Sequence, residues 1–467
     1  MIEKPRPPRV TLQALGCRTN QYEAEALGSM FAERGWEVVA TPPWDLGIVV
    51  SCSVTAVAER KSRTLLRRFL RQSPAGRRIL CSCYAQNLLR TKEPFPEADL
   101  VVGNRIKHRI PLLGEALLRG EPLEQYHELP GPPGIWTAWD DLRLTRLLWH
   151  TRGFIKIQEG CRRFCSYCII SHLRGNPLSR PEEDILEEVT RLASGGCGEF
   201  ILTGIHLGSY GSGEGGEPLG KLVQKISRIA GVKRLRFGSL EPFSITPAFL
   251  TMLRDTPQFC PHFHIPLQSG DDGVLERMKR GYSSGEFAKL VALAREIFGE
   301  DLHISTDLLV GFPGEDDRAF ERTLKVAEDL GFGKLHVFPF SPREGTPAFS
   351  WPRPSRKETE DRCGRAALLG EKLLARYASR WLGRTVEVLA EKRGASESPF
   401  FTGHTPHFLL ARLPGRALPG EPRSGKVTAL SGGELLCSPD FENSEEPPFS
   451  REPQFPENSI VEVHSGE

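Results

Sequence analysis

Between residues 154 and 340, six short apolar runs alternate with helical runs, and this alternation constrains the fold more than any other feature of the chain. The strand candidates are 154–158, 199–203, 234–239, 262–267, 303–310 and 334–340, with helix candidates at 181–193, 219–229, 286–297 and 319–330. Parallel strands need long crossovers, and those crossovers turn right-handed. Six such units predict a barrel or part-barrel with its chemistry at the C-terminal strand ends. Ahead of it, 9–15, 46–51, 78–82 and 100–103 read as strands and 21–34 as an amphipathic helix, which predicts a second parallel sheet covered by helices.

A Pro/Gly-rich stretch at 128–134 marks a boundary between these two parts. A helical stretch at 357–381 leads into short strand-like runs at 384–390, 408–413, 426–430 and 434–437, a pattern that suits a small antiparallel β-barrel. The segment 439–456 is rich in Pro, Glu and Ser and reads as disordered, while 460–463 is either a last strand or part of that tail. The class is therefore α/β, with expected domains at 1–134, 135–378 and 379–440 and a tail at 441–467. A chain of 467 residues is too long for one ordinary core, which agrees with that division.

Eleven cysteines are spread along a chain whose first residues lack the apolar stretch of a secretory signal and in which no apolar run is long enough to cross a bilayer. A cytoplasmic location with free thiols is expected, so the clustered cysteines call for ligation or catalysis. Cys197, Cys260, Cys363 and Cys437 stand alone and read as small buried hydrophobes. Cys161, Cys165 and Cys168 directly follow a strand, and three thiolates in one loop suit an iron–sulfur cluster with one open iron. Zinc would ask for a fourth ligand, for which His172 is the nearest candidate. Cys17, Cys52 and Cys83 each follow a strand of the first sheet, at the carboxyl edge where open α/β sheets place their sites. They argue for a second cluster. Cys81, two residues from Cys83 in a strand-like run, would share its face, which leaves a substitute-ligand role open beside Cys83 as the ligand.

The net charge of +2 does not announce a nucleic acid, but its distribution says more. Arg60, Arg63, Arg67 and Arg71 recur at helical spacing and form a basic stripe, with Leu65, Leu66, Phe69 and Leu70 turned elsewhere toward a core. Such a stripe is either a solvated helix face or a track for a phosphate backbone.

The spacing CxxxCxxC, with Phe164 and Tyr167 ahead of its second and third cysteines, resembles the radical S-adenosylmethionine signature. LGCRTNQYEAE, SCSVTAVAERKSR and CYAQ are similar to the N-terminal cluster words of the methylthiotransferases, and that resemblance covers nearly the whole chain. LTGIHLGSYG, SLEP, HFHIPLQSG and LHVFPFSPREGTPA look like the MtaB-type subgroup. The resemblance implies two 4Fe-4S clusters, S-adenosylmethionine and a TRAM-like RNA-binding barrel. It implies conversion of N6-threonylcarbamoyladenosine, next to the tRNA anticodon, into its 2-methylthio derivative. One S-adenosylmethionine would donate a methyl group to sulfur, and a second would yield the radical that activates adenine C2. The MiaB-type reaction on isopentenyladenosine, the RimO-type reaction on a ribosomal protein and a non-enzymatic, metal-stabilised RNA-binding protein stand as alternatives.

By the same resemblance Tyr167 lies by the adenine of S-adenosylmethionine, and Gly204, Gln268 and Gly311 lie at the strand ends that receive it. Glu241 and Arg280 are expected at the cofactor or the modified base. Arg60, Arg63, Arg67, Arg71 and Arg280 are expected to meet the anticodon arm of tRNA. An electron donor such as flavodoxin or ferredoxin is the other expected partner, with no membrane involved. His206, His262, His264 and His303 read as structural. One departure from the family is that Ser51 and Ser53 flank Cys52 where relatives carry Asn-Thr, which puts the hydrogen bonds around that cysteine in doubt.

Overall fold

The computed structural model describes residues 6–123, 138–212, 215–392 and 399–439. The expected boundary at 128–134 lies outside these residues, as do the segment beyond Pro439 and the run 460–463.

The first sheet is parallel throughout, in the order β2-β1-β3-β4-β5. Its strands are β1 (Arg9–Ala14), β2 (Glu37–Val38), β3 (Leu46–Ser51), β4 (Arg77–Ser82) and β5 (Leu100–Val102). The connecting helices are α1 (Arg18–Glu33), α2 (Ala56–Gln72) and α3 (Cys83–Thr91), with α4 (Ile110–Arg119) following β5. The chain leaves β1 toward β2 and then returns to the other side of β1 as β3. That reversal opens a crevice at the carboxyl ends of β1 and β3. The pleat divides the side chains: Val10, Leu12, Ile48, Val50, Ile79 and Cys81 share one core with α1 and α4, while Val49 and Leu80 pack with α2 and α3. Leu65, Leu66 and Phe69 of α2 are buried as expected, but Leu70 is exposed.

Helix α1 is buried nearly all round because it lies between this sheet and the next. The central strands are β6 (Gly153–Glu159), β8 (Glu199–Gly204), β9 (Arg234–Phe237), β10 (His262–His264), β11 (His303–Val310) and β12 (Lys334–Pro339). They run parallel in two ladders, β6-β8-β9 and β10-β11-β12, joined by bridges from Leu235 to Phe259 and from Ser239 to His264. This is the expected part-barrel, with a short antiparallel partner β7 (Leu178–Ser179) on the outer edge of β6. Helices α6 (Glu182–Ser194), α7 (Glu217–Ser227), α8 (Pro247–Arg254), α10 (Ser284–Phe298) and α11 (Asp317–Leu330) make the crossovers, and α12 (Arg356–Ser379) packs on β12. Two short helices, α5 (Ile170–Arg174) and α9 (Asp272–Arg277), follow β6 and β10.

The C-terminal strands β13 (Thr385–Lys392), β14 (Phe400–His404), β15 (Leu410–Pro414), β16 (Pro422–Ser431) and β17 (Glu434–Pro439) close into a barrel. Two details differ from expectation. Strand β14, FFTGH, was not anticipated, since it lacks alternation and carries an interior glycine; Gly403 is needed where a Cβ would stand 1.8 Å from the Leu389 carbonyl oxygen. The barrel is also not wholly antiparallel, because β15 and β17 pair in parallel. It docks on the amino ends of the central strands. Arg236 donates to the carbonyls of Thr405 and Pro406 at 2.7 and 2.6 Å, and Arg234 to that of His404 at 3.0 Å. The small barrel thus closes the end of the part-barrel opposite its carboxyl mouth.

Candidate active site

Strand β6 runs into Gly160, whose φ of +77° and whose missing Cβ, which would lie 2.0 Å from the Asn176 carbonyl oxygen, let the chain turn beneath the 175–176 segment. The cysteine loop follows. The Cys161 N–H donates to the Gly175 carbonyl at 2.9 Å, and the Arg163 N–H points at Cys161 Sγ at 3.4 Å. The loop is held from outside as well, since the Ser166 N–H and Oγ donate to the Met278 and Arg277 carbonyls and its own carbonyl accepts from Ala348. Three carbonyl and amide anchors around a loop this short fix where its thiols point.

Several expected residues meet at this loop. Arg280, almost fully buried, pairs with Glu241 at 2.7 Å and reaches Cys165 Sγ and the Tyr167 hydroxyl, both at 3.4 Å. Burial and the Glu241 pairing set Arg280 beside the cysteine loop, apart from the arginines of α2. Gly204 ends β8 and leaves no room for a side chain, a Cβ lying 2.6 Å from the Gln158 carbonyl oxygen. Gln268 takes φ +69° and pairs through its backbone with Leu308. Gly311, φ +76°, is required by packing, because a Cβ there would sit 2.5 Å from Thr359 Oγ1 of α12. Of the four histidines, His262, His264 and His303 lie among buried packing and hydrogen bonds of β10 and β11. His206 instead lines a cavity of about 510 Å³ at the mouth, together with Gln158, Arg162, Arg163, Ser209 and Phe243. Its Nδ1 has no hydrogen-bond partner among the described residues.

The second cysteine set stands at the β1/β3 crevice. Gly16 turns the chain with φ +91°, and a Cβ on it would lie 2.6 Å from Cys52 Sγ. Cys17 is exposed at the N-cap position of α1, whereas Cys52 and Cys83 are buried. Burial pushes the Cys52 thiol up, and neighbouring Cys83 and Cys17 push it further. Asn20 ties the strand ends together: its amide donates to the Leu15 and Ser51 carbonyls at 2.7 and 2.9 Å, and its oxygen accepts from Ser82. The serines flanking Cys52 are both engaged. Ser51 Oγ accepts from the Tyr84 and Ala85 N–H groups at the start of α3, and Ser53 bonds Glu59 and Arg343. Cys81 does not share a face with Cys83. Ser82 takes φ +75°, which ends the strand and starts α3, and leaves Cys81 in the apolar core of β4.

The basic stripe is only partly available. Arg60, Arg67 and Arg71 are exposed on α2, but Arg63 pairs with Glu93 at 2.7 Å and Glu97 at 3.5 Å, and Arg67 pairs with Glu97 at 2.8 Å. Those carboxylates come from the loop after α3, too far along the chain for helical spacing to reveal them.

Residues 155–327 match the Radical SAM superfamily, and residues 9–103 match the uncharacterized protein family UPF0004. The chain is 34% identical to the threonylcarbamoyladenosine tRNA methylthiotransferase MtaB of Bacillus subtilis (strain 168), over 86% of this chain and 89% of that one. It is 34% identical to the MtaB of Chlamydia pneumoniae over 86% and 91%. The tRNA-2-methylthio-N(6)-dimethylallyladenosine synthase of Methylacidiphilum infernorum (isolate V4) is 32% identical over 87% and 89%. The chain belongs to the radical S-adenosylmethionine methylthiotransferase family. Among solved structures, the radical S-adenosylmethionine methyltransferase TsrM of Kitasatospora setae shares the fold with a TM-score of 0.50 at 15% identity, over 73% of this chain and 75% of that one.

The methylthiotransferase is thus an enzyme of the radical S-adenosylmethionine type, and that chemistry brings S-adenosylmethionine and a 4Fe-4S cluster. The donor set fits such a cluster. Among the described residues, no three Cys, His, Asp or Glu side chains close on a point that a single ion could occupy. A cubane asks for a wider set, because each thiolate binds a different iron. No helix is long and apolar enough to cross a membrane.

Sequence reasoning missed the polar cluster behind both cysteine sets. Glu23, Lys107, Lys156, Glu159 and Arg174 are all buried, with Lys156 Nζ 2.9 Å from Glu23 and Arg174 between Glu23 and Glu159 at 2.9 and 3.0 Å. Burial alone would push Glu23 up, but Arg174, Lys107 and Lys156 outweigh it and hold the carboxyl well below its usual range. A lysine inside the apolar strand word GFIKIQE was the available signal.

Proposed function

We propose that this enzyme converts N6-threonylcarbamoyladenosine, next to the anticodon of tRNA, into its 2-methylthio derivative, with Cys161, Cys165 and Cys168 holding one 4Fe-4S cluster and Cys17, Cys52 and Cys83 a second. The observation that carries this reading is the pairing of two three-cysteine sets, each at the carboxyl end of a parallel sheet, with helix α1 packed between the sheets. When bound, the first cluster supplies the electron that cleaves S-adenosylmethionine, and the second is where sulfur is held for transfer. The protein's own part is orientation. Arg280 and Glu241 fix the side of the loop at Cys165 and Tyr167, the kind of orientation a protein adds to a cofactor's radical chemistry.

The mouth cavity supports the threonylcarbamoyl substrate over the dimethylallyl one. A threonylcarbamoyl group carries a carboxylate, a hydroxyl and urea nitrogens, whereas a dimethylallyl group is apolar. Arg162, Arg163, His206, Gln158, Ser179 and Ser209 offer charge and hydrogen bonds suited to the former. A base beside the anticodon is single-stranded and can leave its stack at small cost. An exposed stripe on α2 and the C-terminal barrel are the proposed RNA contacts, and a flavodoxin- or ferredoxin-type donor is the proposed source of electrons. The test is mass spectrometry of tRNA nucleosides from cells with and without the gene. Loss of the 2-methylthio derivative, with N6-threonylcarbamoyladenosine accumulating, is expected. Loss of the dimethylallyl derivative instead would move the enzyme to the other subgroup, and no change in either would sink the tRNA reading.

A further inference from the structure

Helix α5 begins two residues after Cys168 and ends on Arg174, which with Arg236 is one of the two largest fully buried side chains among the described residues. A guanidinium has five N–H bonds, and here the arrangement uses them all. Nε donates to Cys83 Sγ at 3.0 Å. One terminal nitrogen serves Glu23 at 2.9 Å and Glu159 at 3.0 Å, and the other serves Asn20 at 2.9 Å and Ser82 at 3.0 Å. Four of these five acceptors belong to the N-terminal layer, Asn20 and Glu23 on α1, Ser82 at the end of β4 and Cys83 at the start of α3; Asn20 lies within a turn of Cys17, and Ser82 is next to Cys83. The helix end is pinned from the same side, because Asn104 donates to the Leu173 carbonyl at 3.0 Å. Ile169 and Leu173 pack against Cys83 itself. The segment that carries the first cysteine set is thus bolted, through one arginine, to a thiol of the second.

Burying a guanidinium is costly, and a bond to a thiol sulfur is a poor return unless that sulfur carries negative charge. We propose that Arg174 is a positioning residue which fixes the two cysteine sets relative to each other and holds up the reduction potential of the cluster at Cys17, Cys52 and Cys83. This rests on the reading that a second cluster is held there. Reduction adds one electron to the cluster, and an N–H donor with positive charge at a ligating sulfur favours the reduced form, so the potential rises. Lysine cannot replace the fork, since three donors on one nitrogen cannot span Cys83, Ser82 and two carboxylates.

The test starts from full-length protein carrying Cys161→Ala, Cys165→Ala and Cys168→Ala, reconstituted anaerobically so that any remaining cluster is the second one. If that protein binds no iron and gives no paramagnetic signal on reduction, the two-cluster reading fails and the Arg174 proposal falls with it. If the cluster is present, adding Arg174→Lys should move its midpoint in an EPR-monitored titration to a more negative value at unchanged iron content. An unchanged midpoint overturns the tuning role. Should Arg174→Lys lose iron, the unsubstituted arginine decides the matter. With 15N-arginine incorporated, the reduced cluster should show a weak 15N coupling in pulsed EPR, and its absence overturns the proposal.

Discussion

The imidazole of His262, at the start of β10, lies stacked on the ring of Phe408 from the C-terminal barrel, centroids 4.6 Å apart. The His303 ring also stacks with His262 at 5.1 Å, and His407 sits against Trp381 at 4.3 Å. Burial lowers all three: His262 well below its usual value, His303 to about 3 and His407 to about 4. In the unfolded chain they titrate near ~6.5, so the folded protein binds fewer protons between the two values. Stability is therefore full above about pH 6.5 and falls as the pH drops toward 4, by up to about 1.4 kcal/mol per pH unit for each histidine. Thermal unfolding between pH 7.5 and 5 should show this slope, and His303→Leu should flatten it. Equal slopes in the two proteins would remove His303 from the account.

The two cysteine sets predict separable losses. Substituting Cys17, Cys52 and Cys83 by alanine should halve the iron, from roughly eight to about four per chain, and leave reductive cleavage of S-adenosylmethionine intact. Substituting Cys161, Cys165 and Cys168 should also halve the iron but abolish 5′-deoxyadenosine formation. Iron analysis and a single-turnover 5′-deoxyadenosine assay check both. Cleavage surviving the second substitution would move the radical chemistry away from that loop.

Most of the architecture was legible because burial patterning is local. The six central strands, the parallel first sheet and the cysteines at its strand ends follow from apolar runs and their spacing. What could not be read is what depends on partners distant in sequence. Arg63 looks free on its helix, and only the fold brings Glu93 to it. Arg174 sits in no recognisable word, and its five acceptors come from positions 20 to 159. Strand β14 was missed because its glycine answers to a crossing chain rather than to its neighbours. The docking of the C-terminal barrel opposite the mouth likewise rests on Arg234 and Arg236, charged residues inside a strand whose role appears only with β8 and the loop after β14 in place.

The partial neutralisation of α2 sharpens the RNA prediction. Arg60 and Arg71 make no ion pair among the described residues, so they carry the charge the stripe can offer to phosphate. Arg60→Glu with Arg71→Glu should weaken tRNA binding and reduce the salt slope by about 1–2, one phosphate contact being worth roughly 0.7–0.9. Arg63→Ala should act mainly on stability, through Tyr84 and Glu93. A filter-binding series across salt concentrations distinguishes these, and an unaltered slope would exclude α2 from the interface.

Gly16 offers a test of the second site that leaves every cysteine in place. A methyl group there would press on Cys52 Sγ from 2.6 Å, at a φ of +91° that alanine resists. Gly16→Ala should therefore lower iron occupancy at that site, bringing total iron toward half, while the first cluster keeps cleaving S-adenosylmethionine. Full iron content would mean that the crevice relaxes without cost.

The mouth cavity decides between the two substrates on chemical grounds. Arg163 lies with its guanidinium 3.5 Å from the centre of the Phe243 ring, which holds the charge in place at the cavity wall, while its backbone N–H serves Cys161. Replacing its side chain by glutamine keeps the backbone contact and removes the charge together with the guanidinium fork. A charged hydrogen bond is worth about 1.5–3 kcal/mol. If it meets the threonylcarbamoyl carboxylate, Arg163→Gln should raise the KM for the modified tRNA by roughly 10- to 150-fold, with the KM for S-adenosylmethionine unmoved. A synthetic anticodon arm whose threonyl carboxylate is converted to the amide should lose a similar factor with the unsubstituted enzyme and little with the variant. That double comparison isolates the pair. A rise in the KM for S-adenosylmethionine instead would assign Arg163 to the cofactor, whose own carboxylate is the competing anion at this mouth.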